Sequence, residues 1–168
     1  MWRPGFSHID VQPGYLAGLH RTFCVYSWVH RGTQTSPGLV LGLDRGGACR
    51  GLVFQIEDGK QAETIAYLRE REQVTNVYLE QNRHVRLDDG RSVSAITYVV
   101  DRSHAQYAGR LDLDAQLALV SKARGQSGVN RDYVLRTAEH LEELGIKDSN
   151  LSSLAAQLRQ GDPKNGTC

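Results

Sequence analysis

The stretch VYLEQNRHVRLDDGRSVSAITYVV, Val77–Val100, decides the fold. Two runs, Val77–Leu87 and Ser92–Val100, flank Asp88-Asp89-Gly90. Turn residues between such runs predict a β-hairpin. Working upstream, Gly14–Val29 (GYLAGLHRTFCVYSWV) is rich in aromatic and β-branched residues with partial alternation, which predicts an extended strand with glycine bends. Gly38–Leu43 (GLVLGL) and Cys49–Ile56 (CRGLVFQI) are short apolar runs joined by Asp44-Arg45-Gly46-Gly47, and are expected to pair as another hairpin.

After Asp101 the apolar period lengthens. Leu113, Leu117 and Val120 suit one helix; Tyr133, Ala138, Leu141 and Leu144 suit a second that stops before Gly145. Ser149–Gln160 reads as a final helix opened by a serine or asparagine cap. Strands first and helices later predict an α+β fold: a small antiparallel β-barrel or curled sheet covered by helices. A single domain is expected over 1–160, with 161–168 (GDPKNGTC) as a flexible tail.

Composition narrows the function. The 168 residues carry 20 Lys+Arg and 19 Asp+Glu, a net charge of +1, so no global field recruits nucleic acid or an anionic membrane. A small-molecule partner is expected, with oligomeric state left open. The three cysteines, Cys24, Cys49 and Cys168, form no C-x-x-C pair, and no apolar leader or membrane-length run is present. That pattern fits a reducing cytoplasm. Cys24 and Cys49 lie in apolar runs and read as packed thiols. The six histidines are scattered without an H-E-x-x-H pair, so no metal site and no cofactor are expected.

Between the predicted strands, Gly59–Tyr78 (GKQAETIAYLREREQVTNVY) reads as an amphipathic helix. At about 100° per residue, Glu72 falls between Ile65 and Leu68 on the wheel while Glu70 points away. Glu72 is therefore expected to face inward, at the negative end of the helix, where lost solvation and the dipole favour the neutral acid. That is the setting of a general base; the structural alternative is a salt bridge to Arg69 or Arg71. Two loops add candidates. Arg31, in His30-Arg31-Gly32-Thr33, is suited to an anionic substrate or to a solvated loop. Ser127 and Asn130, in GQSGVNRDY, read most simply as helix caps, or as a turn facing a ligand. Asp44–Gly47 lacks the pattern of a phosphate loop and reads as a turn.

Four blocks carry the reading further: RGTQTSPGLVLGLDRGGACRGLVF (Arg31–Phe54), YLREREQVTNVY (Tyr67–Tyr78), VVDRSHAQYAG (Val99–Gly109) and GQSGVNRDYVLRTAEHLEELGIKD (Gly125–Asp148). Together, in this order, they resemble the ChaC-like, glutathione-specific γ-glutamylcyclotransferases. The resemblance implies a lyase that turns glutathione into 5-oxoproline and cysteinylglycine without a cofactor. It also implies that Glu72, in the Arg71-Glu72 pair, is the catalytic carboxylate and that Tyr78 lines the site.

Members of that family open with a strand and a Tyr-Gly-Ser-Leu loop around the γ-glutamyl group, then a Trp-x-Pro segment. Only Met1-Trp2-Arg3-Pro4 matches the last part, so the chain is expected to be N-terminally incomplete. The alternatives left open are a catalytically degenerate γ-glutamyl-binding or interaction module, and a cyclotransferase for other γ-glutamyl amines or peptides.

Overall fold

A computed structural model describes residues 4–161. The elements run β1 (Asp10–Ser27), β2 (Gly38–Gln55), α1 (Gln61–Glu72), β3 (Tyr78–Leu87), β4 (Ser92–Val100), α2 (Leu113–Lys122), the two-residue strands β5 (Arg124–Gly125) and β6 (Gly128–Val129), α3 (Asn130–Glu143) and α4 (Ser149–Gln160). The four long strands close a barrel in the order β1-β2-β4-β3. The described residues gather into two compact units, one of 4–21 and 42–104, the other of 22–41 and 105–161.

In the first unit the hairpin expected at Val77–Val100 is present. β3 and β4 pair antiparallel from Tyr78↔Val100 to Arg86↔Ser92, and Gly90 takes φ 91°, a backbone region that a side chain disfavours. β1 joins β3 antiparallel at Gly14↔Leu87, whereas β2 meets β4 in parallel at Leu43↔Val99. Alternation along the strands puts one face inside, and on β1 the phase shifts at Gly18, φ 79°, between the buried Leu16 and Leu19. Leu16, Leu19, Val85 and Val99 are buried there, with Leu43, Cys49 and Val53 packed on them.

The second expected hairpin does not form. Gly38–Gln55 is one continuous strand. Gly46 and Gly47 have φ of 98° and 64° and bend the strand without reversing it. Asp44, expected in a hairpin turn, is buried within the strand. Its Oδ1 accepts from the Arg45 backbone N–H and from Arg102 Nε, both at 2.7 Å. A buried carboxylate needs such donors, and one comes from 58 residues away, beyond the reach of local sequence reading.

The second unit holds the helical core. Val120 of α2, Val134, Ala138 and Leu141 of α3, and Leu151, Leu154 and Leu158 of α4 are buried with Phe23 and Leu39. Leu144, placed on the inner face by periodicity, is exposed, because α3 ends before it and Gly145 turns the chain at φ 67°. The caps also differ from expectation. Asp148, not a serine or asparagine, caps α4 by accepting from the Leu151 N–H. α3 begins after Val129 with no side-chain cap. Asn130 is instead fully buried: its Oδ1 accepts from the Leu39 N–H at 2.7 Å and its Nδ2 donates to the Leu39 carbonyl at 2.9 Å. Cys24 is buried and Cys49 partly so, both as free thiols. Residue Cys168 lies outside the described residues, as do Met1 to Arg3.

Candidate active site

Helix α1 ends at Glu72, with Gln73 as its C-cap. Thr64 is buried; Ile65 and Leu68 are partly buried, and Glu70 is exposed. The wheel is thus respected: Glu72 lies on the inner side, its side chain 18% exposed. Its Oε1 is 3.3 Å from Arg71 Nε. The Arg71 guanidinium thus sets a cation beside the part-buried carboxylate. Arg71 also donates from Nη1 to the Pro4 carbonyl at 2.8 Å, and so ties the start of the described chain to the turn carrying Glu72.

Arg69, the other candidate partner, goes elsewhere. It forms a two-pronged pair with Glu80 of β3, Nε to Oε2 at 2.8 Å and Nη2 to Oε1 at 2.7 Å. This is the strong, oriented form of a charged hydrogen bond. Directly across the hairpin from Glu80 stands Tyr98, whose hydroxyl donates to Glu80 Oε2 at 3.1 Å. The hydrogen bonds from Arg69 hold the Glu80 carboxyl below its ordinary range. Burial first, then the bond to Glu80 and the charges of Glu80 and Glu72, pushes the Tyr98 phenol up to about 12.

The signs of the two shifts differ. Glu80's contribution to stability is present above the ordinary carboxylate range and is lost as pH falls through its lowered value. Tyr98's is present below its ordinary value of 10 and is lost as pH rises toward about 12. The expected result is that the difference in phenolate absorbance between the protein and its Tyr98→Phe variant titrates near 12; a midpoint near 10 contradicts this environment.

Tyr78 opens β3 opposite Val100 and is partly buried. It shares a strand face with Glu80, two residues on. Glu72 and Tyr78 belong to one unit with Arg69, Glu80 and Tyr98; the sequence reading named Arg69 only as a possible partner of Glu72 and did not single out Glu80 or Tyr98. Only strand register and helix docking assemble them; the one local signal was the polar Glu80 amid a β-run.

Arg31 and Ser127 both lie in the second unit, where the fold joins them. The Gln126 and Ser127 N–H groups donate to the carbonyls of Val29 and His30, each at 2.9 Å. Arg31 Nη1 donates to the Ser127 carbonyl at 2.6 Å and the guanidinium lies 5.3 Å from the Tyr133 ring centroid. The Ser127 hydroxyl is 3.0 Å from His30 Nδ1. Ser127 is thus no helix cap, and Arg31 is no freely solvated side chain. Three glycines make this close approach possible: a Cβ on Gly32 would meet the Gly38 nitrogen, one on Gly38 the Arg31 carbonyl, and one on Gly125 the backbone of Val29 to Arg31.

Among the described residues, no group of three or more His, Cys, Asp or Glu is arranged to hold a metal ion. No helix among them is long and apolar enough to cross a membrane.

Among the described residues, a closed four-strand barrel, four helices and a part-buried carboxylate at the end of α1 define a small α+β protein. A family model described as ChaC-like protein matches residues 1–161, and the chain belongs to that family. Over 160 residues it is 31% identical to the glutathione-specific gamma-glutamylcyclotransferase of Escherichia coli (strain K12), a match covering 95% of this chain and 69% of that protein. It is 30% identical over 167 residues to gamma-glutamylcyclotransferase 2-3 of Arabidopsis thaliana, covering 95% and 84%. The human glutathione-specific gamma-glutamylcyclotransferase 1 is 28% identical over 160 residues, covering 92% of this chain and 72% of that one. Among solved structures, a yeast gamma-glutamyl cyclotransferase specific to glutathione superposes with a TM-score of 0.83 over 95% of this chain and 92% of that one; at 19% identity this likeness speaks for the fold.

Proposed function

We propose that this chain is a cytoplasmic γ-glutamylcyclotransferase that converts glutathione to 5-oxoproline and cysteinylglycine, with Glu72 as its general base. The observation that carries the reading is Glu72 itself: a part-buried carboxylate closing α1, fixed by Arg71, in a chain whose relatives are named for this activity.

Glu72 takes a proton from the substrate's α-ammonium group, and the freed amine attacks the substrate's own γ-carbonyl. A five-membered ring closes. The bond between the γ-carbonyl carbon and the cysteine nitrogen then breaks as Glu72 gives its proton to the departing amine; the ring nitrogen releases its second proton, which leaves cysteinylglycine as the ammonium, so the reaction neither consumes water nor changes oxidation state. Because both reacting groups belong to one molecule, the protein's main task is to hold the substrate folded. Well-oriented intramolecular reactions reach effective molarities of about 10⁵–10⁸ M. Tyr78, on the strand that follows α1, is proposed to line this site. Arg31, with Ser127 holding its guanidinium, is proposed to meet a substrate carboxylate.

Incubation with reduced glutathione is expected to give 5-oxoproline and cysteinylglycine in equal amounts. Turnover is expected to persist in the presence of a chelator and in Cys49→Ala, since the nucleophile is the substrate's own amine. Free glutamate as the product would mean hydrolysis and would overturn the mechanism.

A further inference from the structure

Arg69 and Glu72 share the last turn of α1, and Arg69 reaches out of that turn to clasp Glu80 on β3. Glu80 in turn accepts a hydrogen bond from the hydroxyl of Tyr98 on β4. Tyr98 is buried, and its phenol feels the charge of Glu72. From this geometry we infer that Arg69, Glu80 and Tyr98 form a positioning relay that seats the Glu72 turn on the β3–β4 ribbon and sets the electrostatic surroundings of its carboxylate. The inference deepens the proposed function and rests on Glu72 being the base.

The chemistry of the relay is directional. Glu80 uses both oxygens on Arg69, and Oε2 also accepts from Tyr98. The phenol has one proton, and that proton is committed to Glu80. Tyr98 therefore turns only its oxygen lone pairs toward other neighbours. A phenol that instead gave its proton to Glu72 would stabilise the carboxylate and weaken it as a base. The Arg69 charge also balances Glu80, so a second carboxylate can stand behind Tyr98 without repelling the first. The charged and titratable groups around Glu72 include Arg71 from its own helix, Tyr98 from β4, Glu80 from β3 behind the phenol, and Arg69, which neutralises Glu80. Arg69, Glu80 and Tyr98 act through Glu72 and touch no reacting atom.

A balanced pair makes a signed prediction. Arg69→Gln leaves the Glu80 charge uncompensated, which disfavours ionised Glu72; Glu80→Gln leaves the Arg69 cation, which favours it. The ionisation of Glu72 is followed in the resting protein by carbon NMR of the glutamate carboxyls, with the Glu72 signal assigned by its loss in Glu72→Gln. The midpoint is expected to move up in Arg69→Gln and down in Glu80→Gln, each by roughly half a pH unit or more, and to return close to the parent in the double variant. The acid limb of kcat/KM is expected to follow the same three directions. A merely structural role moves both single variants the same way or not at all, and either outcome overturns the relay. Arg69 is more than half exposed, 57%, so its replacement is tolerated and decides the question alone: an unmoved midpoint in Arg69→Gln is sufficient to reject it. The carboxyl titration needs no turnover. If Glu72→Gln stays active while the midpoints move as expected, the base assignment fails and the electrostatic coupling stands; if Glu72→Gln is inactive and the midpoints stay put, only the relay fails.

Discussion

Glu72→Gln is expected to lower 5-oxoproline formation from glutathione by about 10²–10⁴-fold, the usual loss when one general base is removed. The amide keeps the size of the side chain and can still meet Arg71, so the fold and its melting temperature should hold. Glu70→Gln is the matched control. It removes an equal charge two residues away on the exposed face of the same helix, and is expected to leave turnover within a factor of about two, as surface substitutions usually do. Comparable losses in both variants would mean that the effect belongs to α1 as a whole and not to Glu72.

A large structural effect is expected at Gly125. An added Cβ would lie 2.5 Å from the His30 carbonyl carbon and the Val29 oxygen and 2.6 Å from the Arg31 nitrogen. All three are backbone atoms, which cannot swing aside like a side-chain tip. Overpacking costs typically 1–3 kcal/mol and sometimes more. Here the ladder from Gln126 and Ser127 to Val29 and His30 would have to open as well. Gly125→Ala is expected to cost about 3 kcal/mol, a fall of about 6–12 °C in Tm for a chain of this size. Arg31 and Ser127 would separate, and on the role proposed for Arg31 the KM for glutathione is expected to rise in whatever folded fraction remains. An unchanged Tm in Gly125→Ala would show that residues 29–31 and 125–127 do not approach as described.

The sequence was legible wherever neighbours in the chain decide the outcome. Asp88-Asp89-Gly90 directly joins two runs that pair along their length, so the β3–β4 hairpin needed no distant partner. Glu72 was legible for the same reason: a helical wheel uses only the spacing of Ile65, Leu68 and Glu72. Where a partner lies far along the chain, local reading failed. The bend at Asp44–Gly47 looks like a turn until Arg102 supplies the donor that lets Asp44 be buried inside a continuous strand. Asn130 looks like a cap until Leu39 takes up both ends of its amide. The Arg69–Glu80–Tyr98 relay needed a strand register and a docked helix at once, neither of which a single segment encodes. The ChaC-like resemblance bridged part of this gap, because four separated blocks in a fixed order carry long-range information that no one block contains.

The clasp between Asn130 and Leu39 spans 91 residues, and this sets a timetable for the newborn chain. Leu39 leaves the ribosome long before its amide partner exists. At synthesis rates of about 5–20 residues per second, the interval is roughly 5–20 seconds. During that time Phe23 and Leu39 have none of the α2–α4 side chains that will cover them, while β3 and β4, close in sequence, can already pair. Closing such a distant contact is slow compared with forming a hairpin. The helical core is therefore the last part of the molecule to be completed, and the interval before its completion is when the emerging polypeptide is most exposed to aggregation and most dependent on chaperones.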